Sequence, residues 1–471
     1  MKKESSNFNI TTDIAQLIST EQAYNYKIVP VSNNGVLIFK TASLDIKSLQ
    51  QELEIVLGRK VELIQESEEN IRQYLLKNYR KNNSLVSESL HYSDDFLLKV
   101  ILEAQSIESS DIHFEIFEKT SKVRYRIDGK LIEKYVITLS EYPIIVNRIK
   151  IMAGMDISEK RLPQDGRISI DTNTLEFDIR VSSLPTLHGE KIVLRLLSKD
   201  SNAIQLESLG FTEKELAIYR EGIKNPHGIV LISGPTGSGK TTTLYATLKE
   251  LHNDATNILT IEDPIEYTLE GINQVQLKES IGLDFVSTLK TFLRQDPDII
   301  MVGEIRDVAT ANMAIRAALT GHLVLSTIHT NSAWATISRL IDMGIPPFLI
   351  ASTLNISIAQ RLVRKLCPHC KKEVQVTKEA LPKGVDIPST LKNHFTAVGC
   401  ENCYYTGYSG RKAIYEIIPM TKYLAGQIKQ EVLDIDLYLK KEKVSTLKSN
   451  ALLLVEQGET SIEEVYMLLT Q

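Results

Sequence analysis

At positions 234–241 the chain reads Gly234-Pro235-Thr236-Gly237-Ser238-Gly239-Lys240-Thr241, which fits the pattern G-x-x-x-x-G-K-[ST] at every position. The apolar run at 228–233 predicts a short buried strand before it. The spacing of Leu244, Leu248 and Leu251 predicts a helix after it. Strand, loop and helix in this order are typical of a phosphate-binding loop, so the sequence predicts a nucleoside triphosphate site.

The residue types of this loop suit the binding of phosphates. Glycines let successive backbone N–H groups face a phosphate chain, and the start of the following helix adds positive potential. Lys240 is expected to reach the β- and γ-phosphates, and the hydroxyl of Thr241 to ligate Mg²⁺. With Thr242 included, 234–242 is the predicted nucleotide-binding segment.

The composition predicts a soluble globular protein of several domains. The chain has 471 residues, of which 43% are hydrophobic and 24% charged, and this length predicts about three domains. A net charge of −5 argues against nucleic acid as the main partner. The first residues lack the apolar region of a secretory signal, and no run approaches about 18 uncharged apolar residues. The sequence therefore predicts neither export nor a membrane span.

Carboxylates follow two further predicted strands of the nucleotide domain. Glu262 and Asp263 end one strand, and Glu304 ends another after Gly303. An open α/β sheet binds its ligand at these strand ends, where a glutamate can polarise the attacking water. Gly303 stands where the usual metal-supporting aspartate would be. Support for Mg²⁺ is therefore expected from water, Thr241 or the Glu262/Asp263 pair.

Two histidines, His322 and His329, flank the predicted strand at 323–328. Isolated histidines are mostly structural. These two, however, flank a strand of the same predicted sheet as the phosphate loop. We expect them to sense the γ-phosphate or to contact a neighbouring subunit.

Three arginines, Arg167, Arg180 and Arg195, lie on or beside predicted strands of the domain that precedes the nucleotide domain. Two interpretations stay open. They are either solvated strand positions, or they project toward a nucleotide held by the next domain or the next subunit. In the second case they would neutralise charge that develops on the γ-phosphoryl group.

The four cysteines form two C-x-x-C pairs: Cys367 with Cys370, and Cys400 with Cys403. Two such pairs supply the ligands of a tetrahedral Cys₄ site, and four thiolates favour Zn²⁺. The alternative, a redox motif, needs only one pair. Because four thiolates leave no open position for water, the predicted zinc is structural.

Taken together, these segments resemble the secretion ATPases of type II secretion and type IV pilus assembly, from about residue 24 to the C-terminus. The matching motifs lie at 110–113, 123–129, 162–168, 234–243, 258–267, 293–307 and 320–331, and include the four cysteines. At Lys191 the family pattern usually has arginine. The charge is kept there, but the planar fork for a bidentate phosphate contact is lost.

The resemblance implies an α/β fold in which a RecA-like P-loop domain follows a PAS-like α+β domain, with a small N-terminal α/β domain and a Cys₄ zinc module. The expected divisions are a docking domain at 1–76, a linker at 77–92, the PAS-like domain at 93–203, the ATPase domain at 204–365, the zinc module at 366–412 and a helical region at 413–471. The docking domain is shorter than is usual in the family. It lacks the leucine-rich, glycine-containing repeats that bind a cyclic dinucleotide in some relatives, so such regulation is not expected.

The resemblance also implies a function: a cytoplasmic, hexameric, Mg²⁺-dependent ATPase peripheral to the inner membrane. ATP turnover would move the PAS-like domain against the ATPase domain and drive an inner-membrane platform protein, with a cytoplasmic docking partner, so that a pseudopilus assembles and protein is exported. Carried over by motif, the site residues are Glu304 as catalytic glutamate, Glu262 and Asp263 as Asp-box acids, His322 and His329 as the His-box pair, and Arg167, Arg180 and Arg195 as the arginines of the PAS-like domain.

Several alternatives to type II secretion remain. An ATPase of type IV pilus or DNA-uptake pilus assembly has the same motifs, whereas retraction ATPases resemble only the central region and lack the Cys₄ module. A scaffold gated by ATP, with little turnover, has no use for the water-activating acid predicted at Glu304. A nucleic-acid translocase is disfavoured by the acidity of the chain.

Overall fold

The computed structural model describes residues 18, 22–23, 26–33, 36–43, 45–68, 70–71, 74–75, 88–90, 92–93, 95–172, 175–197, 205–377, 380–382 and 391–470. Most of the predicted linker at 77–92 lies outside the described residues. Among the helices of the described part, none is both long and apolar enough to cross a bilayer.

The described residues of the N-terminal unit include a three-stranded sheet and the helix that joins two of its strands. Strands β1 (Ile28–Asn33) and β2 (Leu37–Thr41) are antiparallel, and β3 (Val61–Gln65) runs parallel to β2. Helix α1 (Ile46–Leu57) connects β2 to β3. The side chain of Asp45 accepts from Ser48 N at its start, and Gly58 ends it in the left-handed conformation.

The second domain is a seven-stranded sheet with two helices. Its strand order is β4-β7-β6-β5-β10-β9-β8. The strands are β4 (Glu88–Ser89), β5 (Asp111–Ile116), β6 (Ser121–Ile127), β7 (Lys130–Ile137), β8 (Gln164–Thr172), β9 (Leu175–Thr186) and β10 (Gly189–Leu197), and the helices are α2 (Phe96–Ser106) and α3 (Tyr142–Met152). Burial alternates along β6: Val123 and Tyr125 enter the core, while Arg124 and Arg126 are only partly buried. The sheet therefore has one apolar face and one charged face.

A second seven-stranded sheet carries the phosphate loop. Its order is β13-β12-β14-β15-β11-β16-β19, and all neighbours are parallel except β16 and β19. The strands are β11 (Gly228–Ser233), β12 (Ile258–Glu262), β13 (Asn273–Gln276), β14 (Ile299–Val302), β15 (Leu323–Ile328), β16 (Leu354–Leu366) and β19 (Tyr408–Pro419). Its helices are α4 (Glu213–Ile223), α5 (Lys240–Leu251), α6 (Phe285–Phe292), α7 (Val308–Leu319), α8 (Ala335–Asp342) and α9 (Pro347–Thr353).

Both faces of this sheet are covered. Along β11 every residue is buried, and successive side chains alternate between two cores: Ile229 and Leu231 enter one, Val230 and Ile232 the other. The helix predicted after the loop is α5, and its leucines pack on the second of these cores. The mixed α/β fold is confirmed.

The C-terminal part is interleaved with this sheet. Strand β19 runs through the predicted boundary at 412/413 and pairs with β16 along its length. The sheet therefore extends beyond 204–365, because an edge strand can return after an insertion. The insertion contains the two-stranded sheet β17 (Lys372–Gln375) and β18 (Asn393–Thr396). Four helices follow: α10 (Lys422–Lys429), α11 (Asp436–Lys441), α12 (Leu447–Glu456) and α13 (Ile462–Leu469).

Candidate functional site

A cavity of about 860 Å³ opens where the parallel strands of the second seven-stranded sheet end, and it faces the second domain. We call this sheet, which carries the phosphate loop, the central sheet. The strand order explains its content, since β11, β12, β14 and β15 are neighbours that all end at this edge. From the central sheet it is lined by 236–242, Glu262, Asp263, Glu304 and His329, and from the second domain by Asp111, Arg126 and Arg195. Most of the predicted site residues therefore share one cleft.

The backbone of the phosphate loop requires its glycines. Gly237 and Gly239 have φ of +79° and +86°, values that side chains rarely permit. A Cβ at Gly234 would lie 2.5 Å from the carbonyl oxygen of Gln360 and 2.7 Å from Ser238 Oγ. That hydroxyl is buried and has no hydrogen-bond partner in the described part of the chain. An unpaired donor in a loop that opens on the cleft suits a phosphate oxygen.

Lys240 lies inside the curve of the loop. The residue is only 8% exposed. Its Nζ donates to the carbonyls of Gly234 at 2.8 Å and Pro235 at 3.0 Å. Burial lowers the pKa of Lys240, while the charge of Glu304 opposes this shift. The ammonium is thus near an acid and close to the N-terminus of α5.

Glu304 is the centre of a charged cluster. Its carboxylate accepts a hydrogen bond from Arg306 and lies 3.3 Å from Nε2 of His329. Arg306 also lies 3.7 Å from Asp263. Burial raises the pKa of the Glu304 carboxyl, but Arg306 and His329 outweigh this effect, so the pKa lies below its usual value. The structure brings Glu304, Asp263 and His329 together, and adds Arg306, which the sequence reasoning missed.

Replacing Arg306 with alanine is expected to raise the pKa of Glu304, because it removes the hydrogen bond and positive charge that lower it. If Glu304 must be ionised to act as a base, the acid limb of kcat/KM for ATP then moves to higher pH. Steady-state ATPase rates across the acid range measure this shift. Arg294→Ala removes another exposed arginine of the same domain and should leave the limb in place. An unmoved limb in Arg306→Ala would contradict the assigned role.

Glu262 has different surroundings from Asp263. Its carboxylate is buried and accepts hydrogen bonds from Tyr245, from Thr260 at 2.6 Å and from Gln274 at 3.1 Å. Burial raises its pKa. These bonds fix the end of β12, from which Asp263 follows toward the cleft. A direct catalytic role for Glu262 stays a prediction.

His322 and His329 lie at opposite ends of β15. His322 precedes the strand, and its Nδ1 is 2.8 Å from the carbonyl of Ala317. A six-residue strand spans about 20 Å, so His322 lies far from the cleft edge. Only His329 faces the phosphate loop within this subunit. A contact between His322 and a neighbouring subunit stays a prediction.

The three predicted arginines go to three different places. Arg195 lines the cavity, with Nε 3.0 Å from Asp111. Arg180 reaches the segment that follows β12, where it donates to Glu266 at 3.2 Å and to the carbonyl of Ile265. Arg167 pairs with Asp178, and its side chain is 66% exposed. Within one subunit, the structure therefore brings Arg195 alone of the three to the cavity.

Further residues in the cleft, and beside the phosphate loop, were missed by the sequence reasoning. Arg126 lies 3.5 Å from Asp111 beside Arg195. On β16, Gln360 accepts from the hydroxyl of Thr243 at 2.9 Å, and Arg361 donates to the Gln360 carbonyl at 3.1 Å. Polar residues also occur elsewhere on β16, at Asn355 and Ser357 among others, so the sequence of the strand does not single out Gln360 and Arg361.

The four cysteines form a separate cluster with the geometry of a metal site. Their Sγ atoms lie within 4.8 Å of one another, and three of the separations are 3.8 Å (Cys367–Cys400), 3.7 Å (Cys370–Cys403) and 3.7 Å (Cys400–Cys403). Bonds of about 2.3 Å to a tetrahedral ion place sulfurs roughly 3.8 Å apart. Backbone N–H groups of Gly399 and Gly407 donate to these sulfurs, each at 3.3 Å. The cluster fits a tetrahedral metal ion.

Known proteins match the chain over most of its length. A family model described as type II/IV secretion system protein matches residues 88–467. The chain is 41% identical over 499 residues to the type IV pilus assembly ATPase PilB of Myxococcus xanthus, covering 97% of this chain and 87% of that protein. It is 47% identical over 375 residues to the type II secretion system protein E of Pseudomonas aeruginosa, covering 78% of this chain and 74% of that protein.

Solved structures match as well. The pilus retraction motor PilT with bound ADP is 25% identical, with a TM-score of 0.54, over 79% of this chain and 96% of that one. The ATPase DotB of Legionella pneumophila is 22% identical, with a TM-score of 0.60, over 81% of this chain and 97% of that one. The similarity to DotB shows a shared fold.

Proposed function

Because the chain belongs to the type II/IV secretion system protein family, we propose that it is a motor that uses ATP to assemble pilin-like filaments. It is an ATP hydrolase of the P-loop class. The observation that carries the proposal is a single cleft holding Lys240 of the phosphate loop and the ionised acid Glu304.

We assign the steps of hydrolysis to residues of this cleft. The loop N–H groups and Lys240 bind the β- and γ-phosphates, and Ser238 donates its unpaired hydroxyl. Glu304, which Arg306 and His329 keep ionised, orients the attacking water. Mg²⁺, when bound, neutralises phosphate charge, and Thr241 and the Glu262/Asp263 pair offer oxygen ligands for it.

Arginines of the second domain complete the proposed site. Arg126 and Arg195 lie on the far wall of the cavity, where Asp111 orients both. Their positive charge would stabilise the γ-phosphoryl group in transfer. Arg180 bonds the segment that follows Asp263. Movement of that segment during turnover would therefore displace Arg180 and, with it, the second domain.

The proposed setting is a hexamer on the cytoplasmic side of the inner membrane, working on a platform protein, with ATP and not nucleic acid as ligand. The names of the relatives, a type IV pilus assembly ATPase and a type II secretion system protein, support a role in machinery of this kind. Arg167 and His322 lie away from this subunit's cavity, and a neighbouring subunit could use them. We also propose that the cysteine cluster holds Zn²⁺, since four thiolates at tetrahedral spacing favour that ion.

Two systems fit this motor, type II secretion and type IV pilus assembly. Several of the relatives are type II proteins. The share of the chain that is matched does not separate the two systems, because the type IV pilus assembly ATPase PilB of Pseudomonas aeruginosa matches 79% of this chain and the type II protein of the same organism 78%. Deleting the gene in its host decides between them. Loss of an exported enzyme assigns secretion, and loss of surface filaments assigns pilus assembly.

Lys240→Ala is expected to weaken ATP binding roughly 10- to 100-fold, because a hydrogen bond to a charged group contributes about 1.5–3 kcal/mol. Titration with a fluorescent ATP analogue measures the dissociation constant. Lys224→Ala, at an exposed position beyond α4, should bind as the wild type does. Binding of wild-type strength by Lys240→Ala would contradict the proposed nucleotide site.

A further inference from the structure

The backbone that follows His329 is bonded to buried side chains of the central sheet. In this segment, 330–334, the carbonyl of Asn331 accepts from Arg361 Nη2 at 2.8 Å. The carbonyl of Ala333 accepts from Ser357 Oγ at 2.7 Å. Both donors lie on β16, so the position of the segment depends on that strand.

Glu416 of β19 adds a bond of a different kind. Its Oε1 accepts from Ala333 N at 2.8 Å, and its Oε2 accepts from Leu447 N at 3.3 Å. Leu447 is the first residue of α12. One carboxylate therefore joins the segment after His329 to the helical region at the C-terminus.

This carboxylate is costly to bury. Glu416 is 6% exposed, and burial raises its pKa, although the two N–H donors and the charge of Arg361 oppose that shift. Burial of a carboxylate is tolerated when its oxygens are hydrogen-bonded, but an apolar residue of similar volume would often serve stability as well. Glu416 does not line the phosphate cavity. We therefore look for the role of Glu416 in its two hydrogen bonds rather than in the chemistry of the cleft.

There is open space between the segment 330–334 and the C-terminal helices. A cavity of about 620 Å³ lies beside Glu416 and is lined by Trp334 of the segment and by Leu439 and Leu447 of the helical region. A shift of α12 into or out of this space would displace Leu447 N and with it the carboxylate. The displacement would then reach Ala333, four residues from His329.

We propose that Glu416 is a positioning residue that holds His329, and through it Glu304, in place relative to helix α12. The inference rests on the proposed ATPase function and extends it to the C-terminal helices. A force or partner acting on these helices would thereby change the rate of hydrolysis without contacting the nucleotide.

The test is a double-mutant cycle on ATP hydrolysis by the full chain. Glu416→Gln replaces one accepting oxygen by a donor and should lower kcat roughly 10- to 100-fold, with the dissociation constant for ATP within about twofold of the wild-type value. In a His329→Ala background the same substitution should cause no further loss, because its effect passes through His329. A purely structural role for Glu416 would give losses that multiply, and this result would overturn the proposal.

A matched control is Glu464→Gln. Glu464 is also largely buried and pairs with Arg364 between α13 and β16, away from the segment after His329. Its loss should multiply with that of His329→Ala. If Glu416→Gln does not fold, Glu416→Asp keeps the charge but is too short to reach both donors, and the same cycle decides. A wild type that hydrolyses no ATP would refute the proposed function itself, whereas an active wild type with multiplying losses would refute only the positioning role.

Discussion

Glu304→Gln is expected to lower kcat for ATP hydrolysis by roughly 10²- to 10⁴-fold, the usual contribution of a positioned acid or base. Glutamine keeps the shape of the side chain but cannot take a proton from water. Glu304 is ionised and lies in the same cleft as Lys240, so the loss should appear in turnover rather than in binding. Phosphate release in steady state and titration with a fluorescent ATP analogue measure the two quantities.

The matched control for this substitution is Glu270→Gln, at an exposed position of the same domain, which should turn over as the wild type does. Equal slow rates in the wild type and Glu304→Gln would count against a motor. They would favour a scaffold that binds ATP and changes conformation with little hydrolysis. The ratio of the two rates therefore separates the two classes of function.

The parts of the site that follow from local pattern could be predicted from the sequence. Strand, loop and helix around Lys240 lie next to one another in the chain. The glycines that adopt positive φ are part of the same short segment. Glu304 and Asp263 could be placed because the carboxyl ends of parallel strands meet at one edge. Both inferences need only the order of elements along the chain.

The parts that depend on tertiary pairing could not be predicted. His322 and His329 are close in sequence, yet a strand between them carries each to a different edge of the sheet. Strand β19 returns to the central sheet after the cysteine module, and nothing local indicates that it pairs with β16. The ion pair of Arg306 with Glu304 depends on the turn after β14. Each of these features is set by contacts rather than by periodicity.

The arginines illustrate the same limit. The sequence left open whether Arg167, Arg180 and Arg195 are solvated or face a nucleotide. Alternation within a strand shows which side chains share a face, but not which end of that face meets the next domain. The structure separates them, with Arg195 at the cavity and Arg180 at the contact with Glu266.

Hydrogen bonds to backbone carbonyls connect the cysteine cluster to the rest of the C-terminal part. The N–H of Cys367 donates to the carbonyl of Gly407 at 3.0 Å, and Lys371 Nζ donates to the carbonyl of Gly458 at 2.8 Å. Leu366 N donates to the carbonyl of Glu459 at 2.7 Å. The module therefore holds the start of α13 against the end of β16. Loss of the proposed metal should therefore lower the stability of the protein beyond the module.

Cys400→Ser is expected to abolish zinc binding and to lower the free energy of unfolding by about 4 kcal/mol or more, the contribution of a ligand present at about 1,000 times its dissociation constant. Cys400 Sγ lies 3.8 Å from Cys367 Sγ and 3.7 Å from Cys403 Sγ, so its loss opens one corner of the tetrahedron. Elemental analysis should give about one zinc per chain in the wild type, and denaturant unfolding measures the stability.

His369→Ala is the matched control for the zinc site, because His369 is exposed between two of the cysteines and lies outside the cluster. It should keep both the metal and the stability. Zinc-free wild type with unchanged stability would contradict the assignment, as would loss of metal in His369→Ala. Because the module connects β16 to α13, the zinc-free protein should also lose ATPase activity at a lower denaturant concentration than the holoprotein. Such a loss would indicate that the fold of the nucleotide sheet depends on an ion that takes no part in its chemistry.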